Sequence, residues 1–377
     1  MNEQKDTIHQ EIFTFEAPQG VTEYHAVLHI ATATLPWDEQ LAALLAAYRR
    51  LVEELSPATP VFHRFFLSDA ANQEASLRAA LGDIVGACSL VQQPPLDGTK
   101  IALWVYLQRG VAVETSADHR VATMSHGPYR QVWTVGGQQP GATAYEQTRA
   151  LFHHLQETVD NFGGTLADNV MRTWLYVQNI DVNYGGMVQA RNDAFDGVGL
   201  TDATHYIAST GIEGRQGNAA AVVAMDAVST LGLQGTQVQQ LHGYSHLNAT
   251  HEYGVRFERG TCVHYGDRRH IFISGTASID AHGAVVYPGD IVRQTHRMWE
   301  NVEVLLAEAD SCFDDVAQMT VYLRDPADYA TVKALFDSRF PNTPKVLVWA
   351  PVCRPGWLIE MECMAVKHAE RADFPAY

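Results

Sequence analysis

The sequence is short of positive charge, poor in cysteine and free of long apolar runs. Lys plus Arg number 26 against 43 Asp plus Glu, a formal charge of −17. That balance offers no basic footprint for a nucleic acid or an anionic membrane, although a few arginines in one cleft suffice to hold a small anion. The five cysteines (Cys88, Cys262, Cys312, Cys353, Cys363) are odd in number and widely spaced, with no CxxC pair. They read as small apolar residues of a reduced intracellular protein, not as a disulfide framework or a zinc site. The start, MNEQKDTIHQEIF, lacks the basic and then apolar pattern of a signal peptide, and no stretch approaches the ~20 apolar residues of a membrane span. A cytoplasmic protein with no membrane partner is the expectation. Among the 17 histidines, His153 and His154 are adjacent and face different sides of a helix, and no HExxH occurs. Gly136-Gly137 and Gly163-Gly164 lead into neither a GKS/T nor a GxGxxG pattern. No metal and no cofactor is expected.

What is present is a globular composition, 46% apolar and 18% charged over 377 residues, enough for two or three domains. A search for repeats favours three. In the first, Leu41, Leu44, Leu45, Tyr48, Leu51, Val52 and Leu55 mark a helix over 37–55, followed by the apolar run VFHRFFL, a short helix over 73–81 and the strands CSLVQ and KIALWVYL. In the second, HRVATMSHGPYRQVWTVGG gives strands, 144–162 a helix closed by Gly163-Gly164, VMRTWLYVQNI a strand, 186–195 a helix, and HYIAST and AAAVVAMDAV strands around the loop GIEGRQG. In the third, VRFERGTCV and HIFISGTASI precede a helix over 290–309, the strand VAQMTVYL, a helix over 329–340, and the strands KVLVWAP and WLIEMECMAV. Asp69, Asp181 and Asp325 recur at matching strand ends. The expected class is α+β, as three βαβαββ units over 21–110, 111–232 and 233–377 after an N-terminal extension over 1–20.

The third unit resembles the RidA/YjgF (Rid) superfamily from end to end, through FISGTASID, GDIVRQTHRMWENVEVLLAEA, VAQMTVYLRDPADYATV and LIEMECMAV in that order. The second resembles it through HGPYRQVWTVGGQ and TWLYVQNID, the first mainly through element order. The resemblance implies a domain of the chorismate-mutase-like class that assembles as a trimer around a central barrel, with ligand clefts between neighbours. Three units in one chain then form a pseudo-trimer, free to associate further, whose clefts have room to diverge. A narrower likeness covers roughly 145–366: RTWLYVQNI, ARNDAFDGVGL, STGIEG, YGVRFERGT and LIEMECM are similar to segments of the chorismatases, which split the enol ether of chorismate with water and release pyruvate.

Glu360 leads the candidate residues. Strand alternation puts Glu360 and Glu362 on one face, opposite Ile359 and Met361. A carboxyl among apolar strands has its charged form disfavoured and can act as a general acid at neutral pH; a salt-bridged structural glutamate is the competing reading. Glu360 matches the acidic position of both the Rid family and the chorismatases. By the same likeness Arg191 faces the ligand, and a guanidinium suits a carboxylate. Arg256 and Arg259 are further anion candidates, three apart on an expected strand, so at most one reaches a given cleft. Tyr253 offers a hydroxyl, Ser274-Gly275 matches a Rid contact position with close backbone approach, and Thr210-Gly211 offers a hydroxyl and backbone N–H groups. Each has a packing, capping or turn role as its alternative.

Two departures count. Lys345 stands where Rid deaminases carry the arginine that clamps the imino-acid carboxylate, and lysine lacks the planar fork. Glu213, in STGIEG, stands where chorismatases carry a small residue, and a carboxylate there would repel a dicarboxylate substrate. Three functions stay open, all with a small anionic metabolite as partner. One is a chorismatase-like hydrolase or lyase on a carboxylate-bearing enol ether, working between units two and three. The others are a Rid-type enamine or imine deaminase and a non-catalytic binder of small acids. The RNA cleavage associated with the endoribonuclease L-PSP name of the family fits poorly with −17.

Overall fold

The computed structural model describes residues 7–17 and 20–377, the side chain of Tyr253 excepted. The first sheet takes β1 (Ile8–Phe15), β2 (Thr22–Ile30), β3 (Thr59–Leu67), β4 (Ala87–Gln92) and β5 (Ile101–Arg109), in the order β1-β2-β5-β3-β4, with helices α1 (Trp37–Glu54) and α2 (Ala70–Leu81). The second takes β6 (Ala112–Thr115), β7 (Val121–His126), β8 (Tyr129–Gly137), β9 (Val170–Val177), β10 (Ala208–Glu213) and β11 (Val223–Leu231), in the order β10-β9-β11-β8-β7-β6, with α3 (Ala144–Asn161), the single turn α4 (Leu166–Asn169) and α5 (Ile180–Gly197). The third repeats the second: β12 (Val238–Leu241), β13 (Gly260–His264), β14 (Arg268–Ala277), β15 (Val316–Leu323), β16 (Lys345–Trp349) and β17 (Ile359–His368), in the order β12-β13-β14-β17-β15-β16, with α6 (Ile291–Glu308) and α7 (Tyr329–Arg339).

Each sheet lays its long helix on one face. In α6 the buried residues Met298, Trp299, Val302, Leu305 and Leu306 fall at helical spacing, and the Asp290 carboxylate accepts from the Arg293 N–H to start the helix. The opposite faces of the three sheets meet in one shared core, to which Trp104, Trp133, Trp174 and Tyr322 contribute. The three-unit α+β repeat expected from sequence is therefore the architecture. The central barrel is not a closed ladder, however. Among the described residues the sheets are separate, and single bridges join them at three seams: Gln92 with Arg215, Pro95 with Val348, and Ala208 with Glu258.

Several expected elements differ. Residues 8–15 are no extension: they form β1, fully paired to β2 from Ile8–Ile30 to Phe15–Glu23. Helix α5 starts at Ile180, six residues before the expected 186, because burial of Ile180 and Met187 outweighs the poor helix propensity of Gly185-Gly186. Strand pairing begins only at Gly260, so Val255 to Arg259 belong to the long connection after β12.

At the pseudo-threefold axis the units are tied by charge. Arg64 of the first unit reaches Asp226 of the second at 3.0 Å and Glu362 of the third at 3.7 Å. Arg172 of the second reaches Glu362 at 2.8 Å. The Asp226 carboxylate also accepts from Ser89 and Gly136, and Glu362 from Trp174 and Thr210. Arg64 lies over the Trp174 ring at 4.6 Å. All four charged side chains are at most 4% exposed. Removing Arg64 leaves the Asp226 carboxylate buried without its cation, so Arg64→Met is expected to cost about 3–5 kcal/mol in urea unfolding. A loss below about 1 kcal/mol would contradict this account of the axis.

Candidate functional site

The ladders define which residues of the three units correspond. Glu360 is the second residue of β17, facing Tyr322 of β15. Its counterparts are Ala224, facing Tyr176, and Ala102, facing Phe66. By the parallel pairs β3–β4, β9–β10 and β15–β16, Lys345 corresponds to Ser209 and Cys88. Of three equivalent seams, one alone carries the acid.

That seam lies between units two and three, and it opens into a narrow cleft. Glu360 sits at its base, 5% exposed. Burial, with the Glu362 carboxylate two residues along the strand, pushes the Glu360 carboxyl up to about 8 against the opposing pull of Arg172 and Arg259. It is therefore largely protonated at pH 7. Arg191 projects from α5 into the same cleft, donating to Ser209 Oγ at 3.3 Å. Arg259 enters from the connection before β13 and donates to the Asn248 carbonyl at 3.2 Å. Both guanidinium carbons lie 5.4 Å from the centre of the Phe257 ring, within reach of a cation–π contact. Thr210 Oγ accepts from the Gly275 N–H at 2.8 Å and donates to Glu362 at 2.6 Å, so the hydroxyl couples the cleft wall to the axis. A Cβ at Gly275 would collide with the Glu360 carboxyl and stand 2.9 Å from Thr210 Cγ2, so only glycine admits the acid at this depth.

Of the residues singled out in the sequence, Glu360, Arg191, Arg259, Thr210, Gly211 and Gly275 line this cleft. The others do not meet there. Arg256 points the other way, to an ion pair with Asp196 and the Asn192 carbonyl at the end of α5. Ser274 is buried behind the wall; its hydroxyl donates to the Glu258 carbonyl at 2.7 Å and accepts from the Ser209 N–H, which fixes the spacing of β10 and β14. Lys345 belongs to the seam between units three and one, bonded to Glu11 at 2.7 Å. The Tyr253 side chain lies outside the described residues. The expected repulsion from Glu213 is removed: its carboxylate turns from the cleft and accepts from the N–H groups of Asn179 and Ile180 at 3.0 and 2.7 Å, at the start of α5.

Sequence reasoning missed Tyr184, Phe257, Cys353 and Trp357, which complete the lining. Burial, with Glu360 close by, pushes the Cys353 thiol up to about 12, so it is a wall and not a nucleophile. Phe257 had a signal, as the aromatic between two arginines in RFER; Tyr184 lies in the part of α5 ahead of the expected start at 186, and Cys353 and Trp357 lie in a loop without a pattern. Among the described residues no group of three or more His, Cys, Asp and Glu is placed to hold a metal, and no helix is long and apolar enough to cross a membrane.

Glu360→Gln should keep the fold. The wild-type carboxyl has its pKa raised by folding, so its contribution is fully present below the unfolded value and is lost as pH rises through about 8. The amide lacks this loss, so the variant is expected to gain thermal stability relative to wild type as pH rises from about 5 to about 8, with little further gain above that. Equal pH dependence of the two melting curves would show that Glu360 is not buried as a neutral acid.

The comparisons with known proteins agree with this architecture. The family model described as Endoribonuclease L-PSP matches residues 260–367. A RutC family protein of Pyrococcus abyssi is 36% identical over 99 residues, 26% of this chain and 78% of the relative. The 3-aminoacrylate deaminase RutC of Acinetobacter baylyi is 29% identical over 97 residues, 25% of this chain and 77% of that protein. Among solved structures, a chorismatase aligns with TM-score 0.64 and 20% identity, over 83% of this chain and 95% of the chorismatase, a likeness of fold.

Proposed function

Since the chain belongs to the RidA/YjgF superfamily and keeps a neutral carboxylic acid in one of its three seams, we propose that it is a small-molecule hydrolase of the chorismatase type, acting on a carboxylate-bearing enol ether. The observation that carries this reading is Glu360, held protonated near pH 7 beneath two arginines. Arg191 and Arg259 bind substrate carboxylate and, with the Phe257 ring in the same wall, orient an unsaturated ring or side chain over the acid. The Glu360 proton adds to the methylene carbon of the enol ether, forming a C–H bond and leaving an oxocarbenium ion. Water adds to the ether-bearing carbon of that oxocarbenium ion and loses a proton, which restores Glu360. The resulting hemiketal expels the ring alcohol and leaves a 2-oxo acid, pyruvate when the substrate is chorismate. With Glu213 turned away, no carboxylate among the described residues of the cleft wall besides Glu360 opposes a dianion.

Incubation with chorismate, followed by pyruvate release, tests the substrate directly, and no release by wild type would rule it out. With turnover, Glu360→Gln is expected to lower kcat about 10²-fold or more, and the wild-type rate is expected to fall as pH rises through about 8. Arg191→Met is expected to raise KM at least about tenfold, the loss of ~1.4 kcal/mol of binding.

A second reading is supported by the deaminase relative: the same acid can protonate the carbon of an enamine. Against it, Ser209 holds the place in this cleft that corresponds to Lys345, so no cation stands there. Ammonia released from fresh 2-aminoacrylate faster than in buffer, without pyruvate from chorismate, would favour it.

A further inference from the structure

The first sheet is one strand short of its sisters. Sheets two and three have six strands each, sheet one five. In strand order β1 corresponds to β7 and β13. Each of those carries a further antiparallel strand on its outer edge: β6 on β7, from Ala112–Ser125 to Thr115–Ala122, and β12 on β13, from Val238–Val263 to Leu241–Gly260. Among the described residues no strand lies on the outer edge of β1.

The backbone shows what that edge offers. The Thr7 carbonyl accepts from the Ala31 N–H at 2.8 Å, so in the unbroken register with β2 the odd residues of β1 exchange their bonds with β2. The N–H and C=O groups of Ile8, Gln10, Ile12 and Thr14 point the other way, and none has a partner among the described residues. β1 is eight residues long, where β6 and β12 are four each. It lacks the usual guards of a free edge: IHQEIFTF has no Lys and no Pro, and its register has no bulge. Phe13 and Phe15 fasten one face of the strand to Ala317 and Val366 of unit three. On the other face Ile8 packs against the α1 layer, while Ile12 is left 36% exposed.

Whatever fills this place must be extended and antiparallel, as β6 and β12 are, and β1 itself qualifies. Two β1 strands can set their outward residues against each other about Gln10, Glu11 or Ile12. About Glu11, two carboxylates stand opposite each other, which is unfavourable. About Ile12, Glu11 faces Phe13. About Gln10, each Glu11 carboxylate faces the His9 imidazole of the other copy, the partner it already approaches at 3.8 Å within its own strand. The same register lays Ile8 of one copy over the exposed Ile12 of the other.

We propose that the outer edge of β1 is a homodimer interface, in which two copies of this chain pair their β1 strands antiparallel about a twofold axis at Gln10, each supplying the sixth strand of the other's first sheet. The pairing does not depend on the proposed hydrolase activity. One short strand pair is a small contact, so the dimer forms reversibly with concentration. The test is sedimentation equilibrium of the full chain. Wild type is expected to shift from monomer to dimer as concentration rises. Ile12→Pro removes only an outward N–H and keeps every bond to β2, so it is expected to raise the dimer Kd at least about tenfold with the melting temperature unchanged. Paired residues of this kind hold their Cα atoms about 5.5 Å apart, within disulfide reach. In a Cys312→Ser background, which removes the exposed native thiol, Gln10→Cys is therefore expected to cross-link two chains on mild oxidation, and Ile12→Cys is not. Wild type that stays monomeric at about 1 mM overturns the interface. A dimer that survives Ile12→Pro, or cross-linking through Ile12→Cys in place of Gln10→Cys, overturns it equally. Should Ile12→Pro lower the melting temperature, Ile12→Lys keeps the backbone, puts a charge on the edge and gives the same reading.

Discussion

Four buried charges at the axis, Arg64, Arg172, Asp226 and Glu362, govern the rest of the molecule. A lone charge in such a core would be strongly destabilising; two cations and two anions, drawn from all three units, compensate one another and have good partners only when the units are in register. The same network sets the chemistry of the cleft. Glu362 takes the strongest cation contacts and the Trp174 and Thr210 donors, leaving Glu360, two residues earlier on β17, with burial and a negative neighbour. One glutamate is paired so that the other stays neutral, a separation of environments that yields an acid at neutral pH.

The asymmetry of the three seams has a similarly local cause. At the second position of three equivalent strands stand Ala102, Ala224 and Glu360. The seam between units one and two carries the bridge of Gln92 with Arg215 and the Gln93 amide on the Glu213 carbonyl at 2.6 Å. The seam between three and one is occupied by Glu11. One seam is left with an acid and two arginines, so the repeat has kept its architecture while its interfaces have parted.

The repeat was legible in the sequence because sheet alternation and helical spacing are local signals, and Leu41 to Leu55 or Ile359 to Met361 carry them unaided. Glu360 was legible for the same reason, as a carboxyl on the inner face of an apolar strand. What stayed hidden depends on contacts remote in the chain. Arg64 and Arg172 lie in the strands VFHRFFL and VMRTWLYV, where a charge among apolar neighbours signals a buried partner, but Asp226 and Glu362 are 162 and 190 residues away. Glu11 and Lys345 are 334 residues apart. Arg256 and Arg259 were separable in direction but not in destination, since the backbone before Gly260 is a connection rather than the expected strand.

The joins between units carry a last consequence. Only Gly110 and Val111 separate β5 from β6, and residues 232–237 separate β11 from β12. In an assembly of separate subunits, a cleft built from two neighbours exists only while they stay associated, and dilution dissolves it. Here both walls belong to one polypeptide, so closing the cleft is an intramolecular step with a fixed effective concentration. Its occupancy then depends on how much ligand is present and not on how much protein, and the two faces are always made in equal number.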